Sequence, residues 1–448
     1  MCRATGMTLD LGAIAGAWFS ASNFIPLIRG DVATSLIDRA ASGYLPPPDF
    51  WNRTDFWIEF RPTINTNMSV RIAQVSIEHH ESGFGIAKSQ PRLSWRFAET
   101  DAKNWIQAAY EITIIRNGVE ESYTKKSARS VLVPWPSRPL RSRESALIRV
   151  QAIGEDGTTT PWAEASLEVA LLKPTDWSCS MISGPAQDPA MPKRPFRLRK
   201  TFSAQSNKNA RLYATAFGIY EVAINGHRVG DQLLTPGWTS YDYHLNYQTY
   251  DIGEYIKLGE NEIVAHVAEG WYAGRLGKTN RNVWGERPGF MGQVEIERNV
   301  ICATDSTWSY LASQVLESEI YNGEVVDTTH RSTIDDALGP AEILPFPQAQ
   351  LISSEAPPVR RVMEIKPVEL IATPTGKTIL DFGQNLVGHV RIETDLGQGS
   401  ELSFRHAEVL ENGELGVRPL RTALARAILK LGGSTKGWEP KFTFFGFR

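Results

Sequence analysis

General acid and base catalysis by carboxyl groups needs two of them held across one reacting bond. The sequence offers acids only singly. Asp242, Glu269, Asp381 and Glu408 stand in conspicuous local contexts, but no spacing couples any two of them. A lone carboxylate among short strands is ordinarily a turn, cap or ion-pair residue. His406 and Glu408 lie two apart and would share one face of a strand, where either interface duty or packing fits them. His79 and His80 are adjacent, so in a strand they point to opposite faces and cannot chelate one ion together. No Ser-His-Asp order, phosphate-binding glycine loop or His-Glu-x-x-His motif occurs. Asp381-Phe382-Gly383 has the letters of a kinase motif without the glycine-rich loop or His-Arg-Asp that would give them meaning. Cys2, Cys179 and Cys302 show no metal-ligand spacing and are odd in number, so they read as incidental or buried thiols.

Binding chemistry is better represented. Trp271 and Tyr272 follow Glu269-Gly270 and precede Arg275. A glycine before two aromatics lets the backbone turn sharply and present the rings, and a guanidinium donates paired hydrogen bonds to hydroxyls. Asn282 and Trp284 lie in the next polar loop, beside Asn280. Trp271, Tyr272, Arg275, Asn282 and Trp284 are therefore the candidate substrate-binding residues. The same types also suit a core, with Trp271 packed between sheets and Arg275 paired with an acid.

The elements that must hold these residues read as strands. Within 218–277, the alternating runs 220–224 and 262–267 are separated by Asn225-Gly226, Pro236-Gly237 and Gly259-Glu260-Asn261, the pattern of antiparallel strands joined by tight turns. Trp238, Tyr241, Tyr243, Tyr247, Tyr250 and Tyr255 crowd the same stretch. Their rings suit either sugar stacking or a sandwich core.

Over 448 residues, with 36 Gly, 26 Pro and 13 Trp, the composition is that of a turn-rich β protein of several domains. A net charge of −3 excludes an electrostatic nucleic-acid binder. The apolar run 11–19 is too short to span a bilayer. It is also a poor secretory leader, because Asp10 precedes it and only Arg3 flanks it; this leans to an intracellular location.

The expected fold is all-β: consecutive β-sandwich or jelly-roll-like domains. Residues 1–67 read as an atypical extension. Residues 68–172 read as an immunoglobulin or fibronectin III-like sandwich, with strands near 71–77, 92–97, 109–116, 130–134, 146–153 and 165–171 and with Trp95, Tyr110 and Trp135 in its core. The proline-rich 173–195 reads as a linker. Residues 196–350 fit a jelly-roll-like double sheet and 351–448 a further β-domain.

The segments GIYEVAINGHRVGDQLLTPGWTSYDYHLNYQTYDI and EGWYAGRLG resemble the amino-terminal β-domain of the α-L-rhamnosidases of glycoside hydrolase family 78. Pro91-Arg92-Leu93-Ser94-Trp95, Thr160-Pro161-Trp162, Ile320-Tyr321-Asn322-Gly323-Glu324, Asp381-Phe382-Gly383-Gln384-Asn385 and Arg405-His406-Ala407-Glu408 extend the resemblance over about 68–448. It implies hydrolysis of terminal α-L-rhamnose from glycosides, with inversion. It also implies a catalytic (α/α)6 barrel following the last β-domain. No helical repeat of that size is present, so the family's barrel is expected to be missing and this chain to be the non-catalytic amino-terminal part. The alternative is a carbohydrate-binding module or an inactive remnant. The expected partners are rhamnose-containing glycosides and the barrel, with neither nucleic acid nor membrane. Phe442, Phe444, Phe445 and Phe447 would then form an exposed patch where the barrel docks. Some β-domains of the family bind rhamnose with calcium. The loop here offers only Asn280, Asn282 and Glu286, so no cofactor is assigned.

Overall fold

The computed structural model describes residues 70–80, 82–99, 102, 104–278, 280–329, 336–346, 350–354 and 356–448. The extension assigned to 1–67 lies outside them. Among the described residues the longest helix is the four-residue turn Gly270–Ala273. The described residues are all-β with no helical barrel, and among them no helix is long and apolar enough to cross a membrane.

The first sandwich pairs Ile72–Ile77 with Leu93–Phe97. Its second sheet runs in the order Phe84–Ile86, Ala163–Val169, Ser145–Gly154, Gln107–Arg116, Val119–Lys126. Gln107–Arg116 buries Tyr110, Ile112 and Ile114 on alternate positions, so one face of the strand enters the core it shares with Trp95 and Trp135. The turn Asn117-Gly118 has φ of 50° and 78°, the left-handed pair that a two-residue hairpin needs. It feeds the edge strand Val119–Lys126, whose sequence VEESYTKK is almost wholly exposed. A strand expected over 130–134 does not form. Only Val133 bridges back to Leu93, because Arg129 Nε and Nη2 bond the carbonyls of Val131 and Leu132 and occupy acceptors a ladder would use.

The second domain is two sheets face to face. One runs Glu342–Ile343, Ile182–Ser183, Gly289–Ile296, Arg211–Phe217, His244–Asp251, Gln350–Ser353, with Asn299–Ala303 also on Gly289–Ile296. The other runs His227–Arg228, Ile219–Ile224, Gly259–Ala268, Phe196–Ala204, Ser309–Ala312, Ala337–Pro340. Between them lies the largest core, built on Leu198, Leu212, Tyr220, Ile263, Phe290, Val294 and Trp308. All eight residues of Gly289–Ile296 are buried, as a central strand covered on both faces requires.

Two boundaries read from the sequence differ in the structure. The stretch read as a linker, 173–195, contributes the strand Ile182–Ser183, which pairs with both Gly289–Ile296 and Glu342–Ile343. A two-residue strand carries no periodicity to read. The boundary at 350 is crossed in both directions. Gly323–Asp327 pairs in parallel with Arg426–Lys430 of the last domain, while Gln350–Ser353 pairs in parallel with His244–Asp251. The last domain is otherwise a four-stranded sheet, Val315–Glu319, Gly323–Asp327, Arg426–Lys430, Glu401–Arg405, surrounded by two-stranded ribbons.

Candidate functional site

The strand Gly259–Ala268 delivers the chain to Glu269-Gly270, where it reverses. Gly270 has φ of +50°, and a Cβ there would sit 2.9 Å from Ile219, so only glycine lets the two segments approach this closely. From the following turn the two aromatics leave in different company. Trp271 stacks on Trp238 at 6.1 Å with planes 6° apart, and packs on the cluster of Val315, Val326, Leu429 and Phe442 from the last domain. Tyr272 stacks on Phe217 at 4.7 Å and meets Tyr241 edge-on at 5.2 Å; Trp284 also leans on Tyr241, at 5.8 Å. The structure therefore brings Tyr272 and Trp284 together around Tyr241 and places Trp271 in a second cluster.

Arg275 accompanies Trp271. Its Nη2 donates to Asn322 Oδ1 (3.0 Å) and lies 3.4 Å from Glu319 Oε2, its Nη1 donates to Thr422, and its guanidinium sits 5.0 Å above the Tyr321 ring. Asn282, at φ 57°, donates from Nδ2 to the Pro189 carbonyl at 2.7 Å. The five candidates thus serve mainly as contacts between segments of the chain.

Sequence reasoning missed the centre of this region, Arg281 and Glu319. Arg281 Nη1 donates to Glu269 Oε2 (2.7 Å) and Nη2 to Glu319 Oε1 (2.6 Å), so one guanidinium bridges two buried carboxylates. The amide of Lys193 also donates to Glu269 (2.7 Å). Burial pushes the Glu269 carboxyl up to about 7, against the pull of Arg281. Residues 269, 281 and 319 carry no periodic signal; the available hint was an arginine standing between Asn280 and Asn282 in an otherwise polar loop.

The other acids and histidines are also accounted for locally. Asp381 Oδ1 accepts the Gly383 amide at 2.7 Å, closing its own turn, and takes Arg448 Nε at 3.2 Å. His406 and Glu408 do not share a strand face. The strand ends at Arg405, after which His406 is buried flat against Phe445 at 3.9 Å while Glu408 is exposed. Burial pushes His406 down to about 4. His266 Nε2 lies 2.6 Å from the buried Ser313 Oγ, and the half-buried imidazole meets Phe442 edge-on at 4.8 Å. Cys302 is buried and Cys179 half-buried, and burial pushes both thiols up to about 12.

In the loop that prompted the calcium question, Asn282 Nδ2 donates to the Pro189 carbonyl, and the buried acids Glu269 and Glu319 are held by Arg281. Among the described residues no group of three or more His, Cys, Asp or Glu is placed to hold a metal ion.

The described chain is thus a tandem of an immunoglobulin-like module, a jelly-roll-like double sheet and a further β-domain, joined by a polar latch. The comparisons with known proteins agree. A Rha78A-like amino-terminal immunoglobulin domain matches 72–173, an α-L-rhamnosidase amino-terminal domain 205–363, and a bacterial α-L-rhamnosidase concanavalin-like domain 371–448. The chain belongs to the α-L-rhamnosidase family, of which it carries these amino-terminal β-domains. It is similar to the crystal structure of an α-L-rhamnosidase from Aspergillus terreus, with 40% identity, a TM-score of 0.79, and coverage of 85% of this chain and 46% of that one. An α-L-rhamnosidase of Formosa agariphila is 30% identical over 410 residues, 83% of this chain and 43% of the relative. One from Alteromonas sp. is 29% identical over 402 residues, 81% and 43% respectively. The chain spans less than half the length of these relatives.

Proposed function

We propose that this chain is the non-catalytic, amino-terminal part of an inverting α-L-rhamnosidase that removes terminal α-L-rhamnose from glycosides, and that its last domain packs against a catalytic barrel. The observation that carries the reading is the three rhamnosidase domain matches in order over 72–448, in a chain less than half as long as its relatives. The state of its acids supports the non-catalytic part. Glu269 and Glu319 share one arginine, and Asp381 closes a turn, so none of these waits across an open site for a scissile bond.

The phenylalanines expected to face the barrel do not form an exposed patch. Phe442, Phe445 and Phe447 are buried within the chain, where they fill the spaces under the last sheet and around His406. The most exposed apolar side chains after residue 350 include Val362, Val368, Leu370 and Val387, at 86, 70, 69 and 75% exposure. Exposed apolar side chains of this kind suit a partner surface, and the barrel is the partner we assign to them.

A second reading, a carbohydrate-binding module, is favoured by Trp238. Its indole is 57% exposed and braced from behind by the parallel ring of Trp271. An assay with p-nitrophenyl α-L-rhamnoside tests the first reading: this chain alone is expected to release no nitrophenol above a heat-killed control, and turnover would overturn it. Calorimetric titration with L-rhamnose tests the second, which requires heat that Trp238→Ala abolishes.

A further inference from the structure

The immunoglobulin-like module and the first residues after it enclose a groove of about 970 Å³, at the upper end of the roughly 300–1,000 Å³ typical of small-molecule sites. Three segments line it, around Lys88, Arg141 and Lys173. Its walls are fixed from behind. Arg143 grips Glu295 of the jelly-roll through two bonds of 2.6 Å. Nearby, Arg211 grips Glu168 at 2.7 and 2.9 Å, and Tyr247 Oη donates to the Leu171 carbonyl at 2.7 Å. The groove is therefore preformed rather than a gap between loosely tethered modules.

Its charge is opposite in sign to that of the whole chain. Four cations line it, Lys88, Arg141, Arg143 and Lys173, against one acid, Asp176. That acid is already occupied. It accepts from Ser142 Oγ (2.6 Å), from the amides of Leu172 and Lys173 (3.1 and 2.8 Å), and from Arg143 (3.4 Å). Glu78 lies behind the wall, 3.4 Å from Lys88, and is shared with Arg92, whose Nη2 is 2.5 Å away. Counting Glu78 with Arg92 and Glu295 with Arg143, five cations face three carboxylates. The excess comes from Arg141 and Lys173, whose exposed side chains make no ion pair among the described residues. Beside them Pro139 and Leu172 offer apolar surface, and Ser89 and Gln90 offer hydroxyl and amide groups.

We propose that this groove binds an acidic sugar, a saccharide bearing a carboxylate or a sulfate ester, with Arg141 and Lys173 on the anion and Ser89 and Gln90 on ring hydroxyls. A guanidinium takes a planar or tetrahedral oxyanion through paired donors, and an ammonium adds a movable point charge. The anion follows from the charge of the groove alone; the choice of a sugar to carry it rests on the rhamnosidase reading above. The test is titration calorimetry of the full chain with glucuronate, glucose 6-sulfate, L-rhamnose and inorganic sulfate, at low and high salt, beside the double variant R141A/K173A. Both substitutions are at exposed positions and leave the core intact. The acidic sugars are expected to bind, more weakly as salt rises, and about tenfold more weakly in the double variant. Failure of both acidic sugars to bind, or binding that the double variant leaves unchanged, would overturn the proposal. Inorganic sulfate bound as tightly as the sugar sulfate would refute the sugar and leave only an anion site. Each of these results is independent of rhamnoside hydrolysis, so the family reading stands or falls separately in the nitrophenyl assay.

Discussion

Glu324 is a buried acid without a cation of its own. It sits on Gly323–Asp327, fully enclosed, and its Oε2 accepts the amides of Lys441 and Phe442, both at 3.0 Å. The Lys441 ammonium is turned away to Glu221, at 2.9 Å. Burial therefore dominates and pushes the Glu324 carboxyl up to about 7, with the two amides and Lys441 opposing and Glu221 reinforcing it. The unfolded chain releases this proton near the ordinary value of 4.5. The folded protein holds it until about 7, so the stabilisation is complete below pH 4.5 and is lost as the pH rises to 7. At about 1.4 kcal/mol per unit, the group costs about 3 kcal/mol by pH 8.5 and about 1 kcal/mol at pH 5. Glu324→Gln keeps the shape and one acceptor for Phe442 while removing the proton. Urea unfolding should therefore show the variant gaining on the wild type as the pH rises, by about 2 kcal/mol between pH 5 and 8.5. A variant destabilised by the same amount at both values would refute the reasoning. It would mean that Glu324 is ionised in the fold and that the two amides outweigh its burial.

Three further outcomes follow from the packing. Glu269→Ala strips a fully buried carboxylate from Arg281 and the Lys193 amide, and should cost about 3–5 kcal/mol. Adding Arg281→Ala should cost less than the sum of the two single changes, as a double-mutant cycle by chemical denaturation would show. Phe442→Ala should cost about 3–5 kcal/mol, because the ring is 1% exposed among Ile219, Leu429 and Leu431. Val387→Ser, at an exposed position, should stay within about 0.5 kcal/mol of the wild type while lowering aggregation in light scattering.

Local signals in the sequence were sufficient where a strand had one wet face and a tight turn. Asn225-Gly226, at φ 51° and 81°, joins Ile219–Ile224 to His227–Arg228 where the pattern placed a turn. The signal vanished where neither face was buried, as in VEESYTKK, or where a strand was two residues long, as at Ile182–Ser183. It also failed for pairings far apart in the chain. Gly323 meets Arg426 across about a hundred residues, and the contact is tight: a Cβ on Gly323 would lie 1.8 Å from the Arg426 carbonyl. No periodicity reports such a partner; only a glycine at that place hints that another backbone comes close.

The Glu269–Arg275 turn shows why aromatic density is a poor guide to a binding site. Two adjacent rings read as one platform because they are neighbours in sequence, yet Trp271 and Tyr272 enter separate cores. A turn can divide them in this way only if its backbone is held, and here Gly270 supplies the reversal while Arg281 ties Glu269 to Glu319. Glu319 ends Val315–Glu319, the first strand of the last domain's sheet. The bridge therefore links the end of the jelly-roll's Gly259–Ala268 strand to that sheet by charge, while Trp271, Val315 and Phe442 link the same two places by apolar contact. Buried charges held by one arginine fix geometry more than they add net stability. A geometry fixed at this joint holds the end of the jelly-roll strand in one place against the last domain's sheet. The most aromatic stretch of the sequence thus serves as a rigid joint between the two sheets. Its rings most open to solvent are Tyr243 and Trp238, at 76 and 57% exposure.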